Sequence, residues 1–411
     1  MISIFSEFPL NAALFRGIED FKYSEATPIQ QAAIPVALAG RDVFASAPTG
    51  SGKTAAFGIP MIQKLLERRP AGQAAALILT PTRELAQQIT QHLGRLAKHT
   101  KLQITPIYGG VGMRPQIKAM RRGTDIIVAT PGRLMDLMQQ GEVRLDSIET
   151  FVLDEADRML DMGFLPPVKR IVAKLPAQRQ TLCFSATLDG AVAKLAREFL
   201  NDPVRIDLAP ASPVATVTQW VYEVETEKKT DLLVDLLKDG RIFNAIVFTR
   251  TKSRAERVAG ALTRHNIDTE RIHGDRSQAQ RTRALEAFKK GRYRILVATD
   301  VASRGIDIAD LGHVINYDVP NEPADYIHRI GRTARAQKTG DAITFVSRDE
   351  ARTFARIEGA IGAPLKRSEH GFMEPASARA STVAPQVHRR SFTARSPHRK
   401  VGRRVSKAAA R

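Results

Sequence analysis

The run Ala47-Pro48-Thr49-Gly50-Ser51-Gly52-Lys53-Thr54 carries the residue types that hold a polyphosphate. It follows the apolar stretch Val43-Phe44-Ala45 and leads into Ala55-Ala56-Phe57-Gly58-Ile59, the strand, glycine turn and helix that a phosphate loop requires. Gly50 and Gly52 let the backbone curl, so that successive N–H groups and a helix N-terminus converge on phosphate oxygens. Lys53 supplies positive charge to the outer phosphates, and the Thr54 hydroxyl is suited to ligate Mg2+. Further along, Thr150-Phe151-Val152-Leu153 runs directly into Asp154-Glu155-Ala156-Asp157. Two acids ending an apolar strand complete such a site: Asp154 is suited to Mg2+, directly or through water, and Glu155 to orienting or deprotonating an attacking water. The ligands predicted from these residues are a nucleoside triphosphate and Mg2+.

The elements that must position these groups follow a regular alternation. Strands are predicted at 42–47, 75–80, 104–108, 125–129, 150–154 and 180–184, with helical spacing at 55–68, 83–98, 113–121 and 191–200. Several strands are continuous apolar runs, such as Ile126-Ile127-Val128-Ala129, which points to a mostly parallel sheet covered on both faces. The segment from Asp202 to Pro213 holds three prolines and no helical period, and reads as a linker. The alternation then restarts, with strands at 219–224, 244–249, 269–272, 294–299, 313–317 and 341–346 and helices at 228–238, 252–264, 278–290 and 349–358. The expected fold is α/β, with two tandem parallel-sheet domains at 1–205 and 217–360, a linker at 206–216, and a tail at 361–411. The second domain has no phosphate loop of its own, so the two sheets are expected to share one nucleotide.

Composition narrows the partners. The 411 residues carry a formal charge of +19, which favours a polyanion such as nucleic acid. Between Ile361 and Arg411, twelve Lys/Arg face two Glu; that tail, rich in Ala, Ser, Pro and Arg, is expected to be disordered. A single cysteine, Cys183, excludes an internal disulfide and a thiolate cluster, and its apolar neighbours mark it as a core residue. No long apolar run or basic leader is present, so a cytoplasmic protein without membrane contact is expected.

Taken together, these motifs resemble the DEAD-box ATP-dependent RNA helicases of the second helicase superfamily, in the compact bacterial form often called RhlE-like. The resemblance covers residues 5 to 358 and rests on motifs in family order: Ala26-Thr27-Pro28-Ile29-Gln30, the phosphate loop, Pro81-Thr82-Arg83-Glu84-Leu85, Gly109-Gly110, Thr130-Pro131-Gly132-Arg133, Asp154-Glu155-Ala156-Asp157 and Ser185-Ala186-Thr187. It continues through Val247-Phe248-Thr249-Arg250, His273-Gly274-Asp275 with Gln280 and Arg281, Ala298-Thr299-Asp300 through Asp307, and His328-Arg329-Ile330-Gly331-Arg332-Thr333-Ala334-Arg335. The fold it implies is a pair of RecA-like domains. Carried over, Gln30 hydrogen-bonds adenine and Phe5 stacks on it, with Phe8 as competitor. Thr82, Arg83, Gly110, Thr130, Arg133 and Thr299 contact RNA, Asp307 meets the ribose, and Arg332 and Arg335 reach the γ-phosphate region. Ser185, Thr187 and His328 become couplers between nucleotide and RNA. The sequence departs from the family at Ala26, Pro48, Ser303 and Ala334, none of which removes a side chain from these roles.

The resemblance implies an RNA-dependent ATPase that separates short duplexes locally, without sequence preference. Its partners are single-stranded RNA or RNA with short duplexes. Ribosomal precursors and RNA-decay machinery are both family contexts, and a monomer is expected. Two other readings remain at this point: a DNA helicase of the same superfamily, and an ATP-gated RNA clamp that serves ribonucleoprotein assembly.

Overall fold

In the computed structural model the chain builds two seven-stranded sheets. The structure describes residues 5–23, 25–47, 50–67, 73–186, 188, 190–208, 217–300, 311–333, 340–362 and 364–368. The first sheet comprises β1 (Val43–Ser46), β2 (Ala76–Leu79), β3 (Ile104–Ile107), β4 (Ile126–Ala129), β5 (Thr150–Leu153), β6 (Gln180–Ser185) and β7 (Val204–Asp207), in the order β3-β4-β2-β5-β6-β1-β7. The second comprises β8 (Val217–Glu223), β9 (Ala245–Thr249), β10 (Thr269–Ile272), β11 (Ile295–Thr299), β12 (His313–Asn316), β13 (Gly340–Val346) and β14 (Lys366–Arg367), in the order β10-β11-β9-β12-β13-β8-β14. Among the described residues every strand pairing in both sheets is parallel.

The continuous apolar strands are buried on both faces, because alternate residues feed two cores. Val43, Ala45, Ile78, Val128 and Leu182 pack with residues of the helices Ala12–Asp20, Pro28–Leu38, Lys53–Glu67 and Arg83–Leu96. Phe44, Leu77, Ile127, Phe151 and Cys183 point the other way, into a core shared with Pro131–Gln139, Ala156–Asp161, Leu165–Val172 and Gly190–Phe199. A strand with helices on both sides cannot be half polar, which is why the runs lack alternation. Cys183 is buried, and burial pushes its thiol pKa up.

Two segments differ from the sequence expectation. Val204–Asp207, expected within the linker, is an edge strand registered on β1 from Val43↔Val204 to Ser46↔Asp207. Its alternation turns Ile206 inward and leaves Arg205 and Asp207 exposed, a half-buried pattern four residues long that the nearby prolines obscured. Pro203 sits just before it, where an edge strand tolerates proline. Similarly, the chain does not lose order at 361. The helix Ala351–Ile361 ends on Gly362 at φ 82°, and Lys366–Arg367 then pairs with Trp220 and Val221 of β8. Glu358 holds this return, accepting from the Leu365 N–H at 2.7 Å and from the Arg367 guanidinium, with Nη2 at 2.9 Å. The expectation of a disordered tail falls on 369–411, outside the described residues.

The second sheet is clamped by a buried charge. Lys229 is 1% exposed, and its Nζ donates to the carbonyls of Tyr317 (2.9 Å) and Phe345 (3.3 Å) and to Glu350 (2.5 Å). Glu350 also accepts from Arg250 at 3.0 Å and Ser347 Oγ at 2.9 Å. Burial pushes the Glu350 carboxyl up, but Lys229 and Ser347 outweigh it and hold the group below its ordinary value. Removing one member of a buried pair typically costs about 3–5 kcal/mol, so Lys229→Met should lower the urea-unfolding free energy on that scale. Because a depressed carboxylate stabilises above its unfolded pKa and loses that contribution as pH falls through its folded value, the deficit should narrow in acid. An unchanged urea midpoint at neutral pH would refute the clamp.

Candidate active site and nucleic-acid interface

Parallel pairing brings the carboxyl ends of all strands to one edge, where open α/β sheets bind ligands. The adjacent strands β5, β6 and β1 end respectively in Asp154-Glu155, Ser185 and the phosphate loop. The loop is tied to its neighbour by the Ala47 N–H on Ser185 O and by Ser46 Oγ on Ala186 O, both 3.2 Å. Gly50 and Gly52 adopt left-handed conformations, at φ 85° and 96°. A Cβ on Gly52 would lie 2.4 Å from Gln30 Nε2, so both conformation and space demand glycine there. Lys53, 8% exposed, opens the helix Lys53–Glu67 with Thr54, and its Nζ rests on Ala47 O at 2.9 Å. Among the described residues Ser51 Oγ is buried with no hydrogen-bond partner.

Asp154 and Glu155 are 3% and 4% exposed. Burial, opposed by Lys53 and reinforced by Glu155, pushes the Asp154 carboxyl up to about 6. Glu155 sits in the left-handed region at φ 53°, ψ 52°, a conformation that costs a non-glycine residue on the order of 1–2 kcal/mol. Its side chain is fixed by Arg158 Nη1 at 3.0 Å, both groups being buried. The turn thus aims two carboxylates from a rigid strand end. A buried carboxylate whose ionisation is disfavoured, beside a glycine cradle, a lysine and a partnerless hydroxyl, fits a polyphosphate carrying a divalent cation.

Gln30 caps its own helix: its Oε1 accepts from Thr27 N at 2.9 Å, while Nε2 donates to Gly52 O at 3.2 Å. The amide expected to read the base is therefore wired to the phosphate loop. Phe5 is 2% exposed, edge-on to Phe8 and stacked on Tyr23 at 5.9 Å. It lies in the core, and stacking on a base would require this packing to open. Pro48, Thr49, Thr187, Asp307 and Arg335 fall outside the described residues.

The other half of the first sheet gathers the residues expected to face RNA. Thr82 and Thr130 cap the helices that follow β2 and β4, with Thr82 Oγ1 accepting from Leu85 N at 3.2 Å. Gly110, at φ 75°, lies against Arg83 so closely that a Cβ would stand 1.8 Å from Nη1. Arg133 donates to Val111 O at 3.2 Å, on the same loop. Arg83, Gly110 and Arg133 are thus one cluster beside two helix N-termini. Thr299 ends β11 next to Thr249 of β9, 6% exposed. Arg329 braces that strand end, with a two-pronged bond to Asp300 at 2.6 and 2.7 Å and a further donation to Asp318 O at 2.7 Å.

The two sheets meet around Glu84 and Arg281, which the motifs include without assigning them a role, and around Gln278, which the sequence analysis does not single out. Glu84, 6% exposed, accepts from Gln278 Nε2 at 2.9 Å and pairs with Arg281 Nη2 at 3.0 Å across the cleft. Gln280, which the motif groups with Arg281, caps its own helix through Ser277 N at 2.9 Å. Gln278 and Arg281 stand three apart and so share a helix face, the one signal that could have identified the pair. Glu84 was hidden because an acid in a helix's first turn ordinarily serves only the dipole. On the nucleotide side, His328 is held down to about 4, by burial first and then by Arg158 of the first sheet and Arg332. It is therefore neutral near pH 7, as suits a hydrogen-bonding link. Arg332 is 4% exposed.

This geometry belongs with known proteins. Residues 27–195 match the DEAD/DEAH box helicase model, and residues 228–337 match the helicase conserved C-terminal domain. The DEAD-box ATP-dependent RNA helicase CshA of Geobacillus kaustophilus is 43% identical over 89% of this chain and 78% of its own length; that of Bacillus subtilis is 41% identical over 92% and 76%. Among solved structures, Saccharomyces cerevisiae Dbp5 bound to RNA and ADP BeF3 aligns with TM-score 0.80 at 32% identity, over 89% of this chain and 95% of that one. Mss116 bound to ssRNA and UDP-BeF gives 0.81 at 30%, over 89% and 80%. The chain belongs to the DEAD-box ATP-dependent RNA helicases, enzymes that couple nucleotide binding and hydrolysis to RNA remodelling. The RhlE-like form expected from the motifs is corrected: eight relatives from Geobacillus and Bacillus are all CshA helicases, and the chain groups with them. Family membership carries dependence on ATP and Mg2+. Among the described residues no helix is long and apolar enough to cross a membrane.

The Glu84 contacts make closure testable. Truncating one partner of a buried, hydrogen-bonded charge pair costs at least about 2 kcal/mol, roughly a thirtyfold change in an equilibrium. Glu84→Ala should therefore reduce the closed population by that order, read by fluorescence transfer between labels on the two sheets with ATP and RNA present. Unaltered closure would mean the pair is incidental.

Proposed function

We propose that ATP and single-stranded RNA bind along the same edge of the first sheet, ATP on the β5-β6-β1 half and RNA on the β3-β4-β2 half, with the second sheet closing over both. What carries this reading is the buried cross-cleft grip on Glu84, together with His328 beside Arg158. The comparisons support the same arrangement. A variant of Dbp5 bound to RNA and ADP BeF3 aligns at TM-score 0.80, and the same variant bound to Nup159, Gle1, IP6 and ADP at 0.60.

Lys53 moves from the Ala47 carbonyl to the phosphate oxygens as these enter the glycine cradle. Asp154 and Thr54 would hold Mg2+, Asp154 directly or through water, and the bound ion would supply positive charge to offset that of the phosphates. Glu155, oriented by Arg158, positions the water and takes its proton. Arg332 and Arg335 lie against the transferring phosphoryl, where fixed guanidinium groups stabilise developing charge. Gln30 reads adenine with the donor and acceptor capacity left by Thr27 and Gly52. Asp307 meets the ribose.

Thr82, Arg83, Gly110, Thr130, Arg133 and Thr299 hold RNA by its phosphates and 2′-hydroxyls. Such contacts position a strand without reading its bases, and 2′-hydroxyl contacts separate RNA from DNA. Closure on a bent strand removes neighbouring base pairs, and hydrolysis reopens the cleft. Ser185, Thr187 and His328 link the two events. The protein works as a cytoplasmic monomer on ribosomal precursors or with the RNA-decay machinery.

Lys53→Ala should abolish ATP hydrolysis and ATP-driven opening of short duplexes together; unwinding that persists without hydrolysis or ATP binding would break the coupling. The basic tail adds nonspecific, salt-sensitive RNA affinity. Deleting 369–411 should weaken RNA binding and flatten its salt dependence while sparing the saturated ATPase rate. Deleting from Ile361 should additionally lower stability, because it removes Arg367 from Glu358. Equal RNA affinity with and without 369–411 at low salt would exclude tethering by the tail.

A further inference from the structure

A buried hydroxyl at the carboxyl edge of the first sheet has no task in holding the fold. Thr80 directly follows β2 and is 0% exposed. Among the described residues its Oγ1 is buried without a hydrogen-bond partner. Comparable threonines are engaged: Thr82 Oγ1 accepts from Leu85 N at 3.2 Å, and Thr249, which ends β9, donates to Thr251 O at 3.4 Å. A buried hydroxyl without a partner keeps its desolvation cost uncompensated. Such groups are few in native proteins, and each calls for a reason.

The sheet register supplies one. The hydrogen-bond ladder runs one residue past the strands, with Asp154 N donating to Leu79 O and Thr80 N to Ala129 O, both at 3.0 Å. These bonds continue the pairings Leu79↔Leu153 and Leu79↔Ala129, so Thr80 stands between Asp154 on one side and Thr130 on the other. Side chains alternate along a strand. Ile78 and Val152 enter the core shared with the phosphate-loop helix, and Leu79 and Leu153 enter the opposite core. Thr80 and Asp154 therefore turn together toward the phosphate-loop side, on strands about 5 Å apart. Asp154 Oδ1 accepts from the Glu155 N–H at 3.0 Å, which leaves Oδ2 as the oxygen that can turn toward a donor. Thr130 offers a neutral hydroxyl, whereas a carboxylate is the stronger acceptor.

We propose that Thr80 is a positioning residue for the reaction: in the loaded enzyme its hydroxyl donates to Asp154 and fixes the carboxylate that holds Mg2+, directly or through water. The inference rests on the placement of Mg2+ at Asp154. A group that hydrogen-bonds a metal-holding carboxylate orients it, and its loss typically costs about 10- to 100-fold in metal affinity or activity. A hydroxyl satisfied by the fold would first have to surrender its partner; that of Thr80 is already available.

The test follows binding of a fluorescent, non-hydrolysable ATP analogue to the full chain as Mg2+ is titrated with single-stranded RNA present, alongside urea unfolding without nucleotide. Thr80→Val keeps the shape of the side chain and removes the hydroxyl. It should raise the Mg2+ concentration for half-maximal binding about tenfold, while affinity in EDTA matches the parent protein and the urea midpoint is unchanged or higher. The kcat of the ATPase should return to the parent value at saturating Mg2+, and Thr80→Ser should restore the parent Mg2+ dependence. Asp154→Ala should shift that dependence by itself, and Thr80→Val should add nothing in its background, because the hydroxyl acts through the carboxylate. Parent-like Mg2+ dependence in Thr80→Val overturns the proposal. A lowered urea midpoint with equal weakening in Mg2+ and in EDTA also overturns it and makes Thr80 a packing residue. If Asp154→Ala too leaves the Mg2+ dependence unchanged, the placement of Mg2+ at Asp154 has failed, and the role of Thr80 falls with it.

Discussion

Parallel strand pairing is the constraint on which this molecule depends. Once β5, β6 and β1 run side by side in one direction, the acids at Asp154-Glu155, the hydroxyl of Ser185 and the phosphate loop must emerge together. The same rule places Thr82, Thr130 and the Gly110 loop on the other half of the same edge. No side chain needs to travel for the two ligand regions to be neighbours. The nearest strands of the two halves, β2 and β5, are direct neighbours about 5 Å apart, and the second sheet meets the first beside both, at Glu84 and at Arg158.

The contact between the sheets is built from buried charge, which is expensive in isolation and favourable only when paired. Glu84 and Arg281 are buried against each other from different sheets, so an open arrangement returns both to water and a closed one must satisfy both at once. Glu155 and Arg158 apply the same principle within one turn, fixing a left-handed residue that would otherwise relax. His328 sits among the cations of both sheets and stays neutral, avoiding a third like charge there.

Much of this was legible in the residues. The continuous apolar runs marked the strands within a residue or two, because strands buried on both faces must be apolar at every position, as Phe44 and Ala45 show by entering opposite cores. The phosphate loop and the acid pair were legible because their chemistry fixes both residue type and spacing. What escaped was set by partners distant in sequence. Val204–Asp207 is a strand only because β1 offers an edge, and Lys366–Arg367 only because Glu358 and β8 receive it. The choice of Gln278 over Gln280 depends on which helix face meets Glu84, which no local pattern reveals. The packing of Phe5 against Phe8 and Tyr23 has no local signature either.

Cys183 adds a practical property to this architecture. It is the single thiol of the chain, sealed in the core beneath the acid turn, with its ionisation suppressed by burial. Thiol reagents attack thiolates at exposed positions, so the native chain already behaves as a blank background. Any cysteine introduced on the surface of either sheet becomes the sole reactive handle, and the movement of one sheet against the other can be followed without first removing anything from the core.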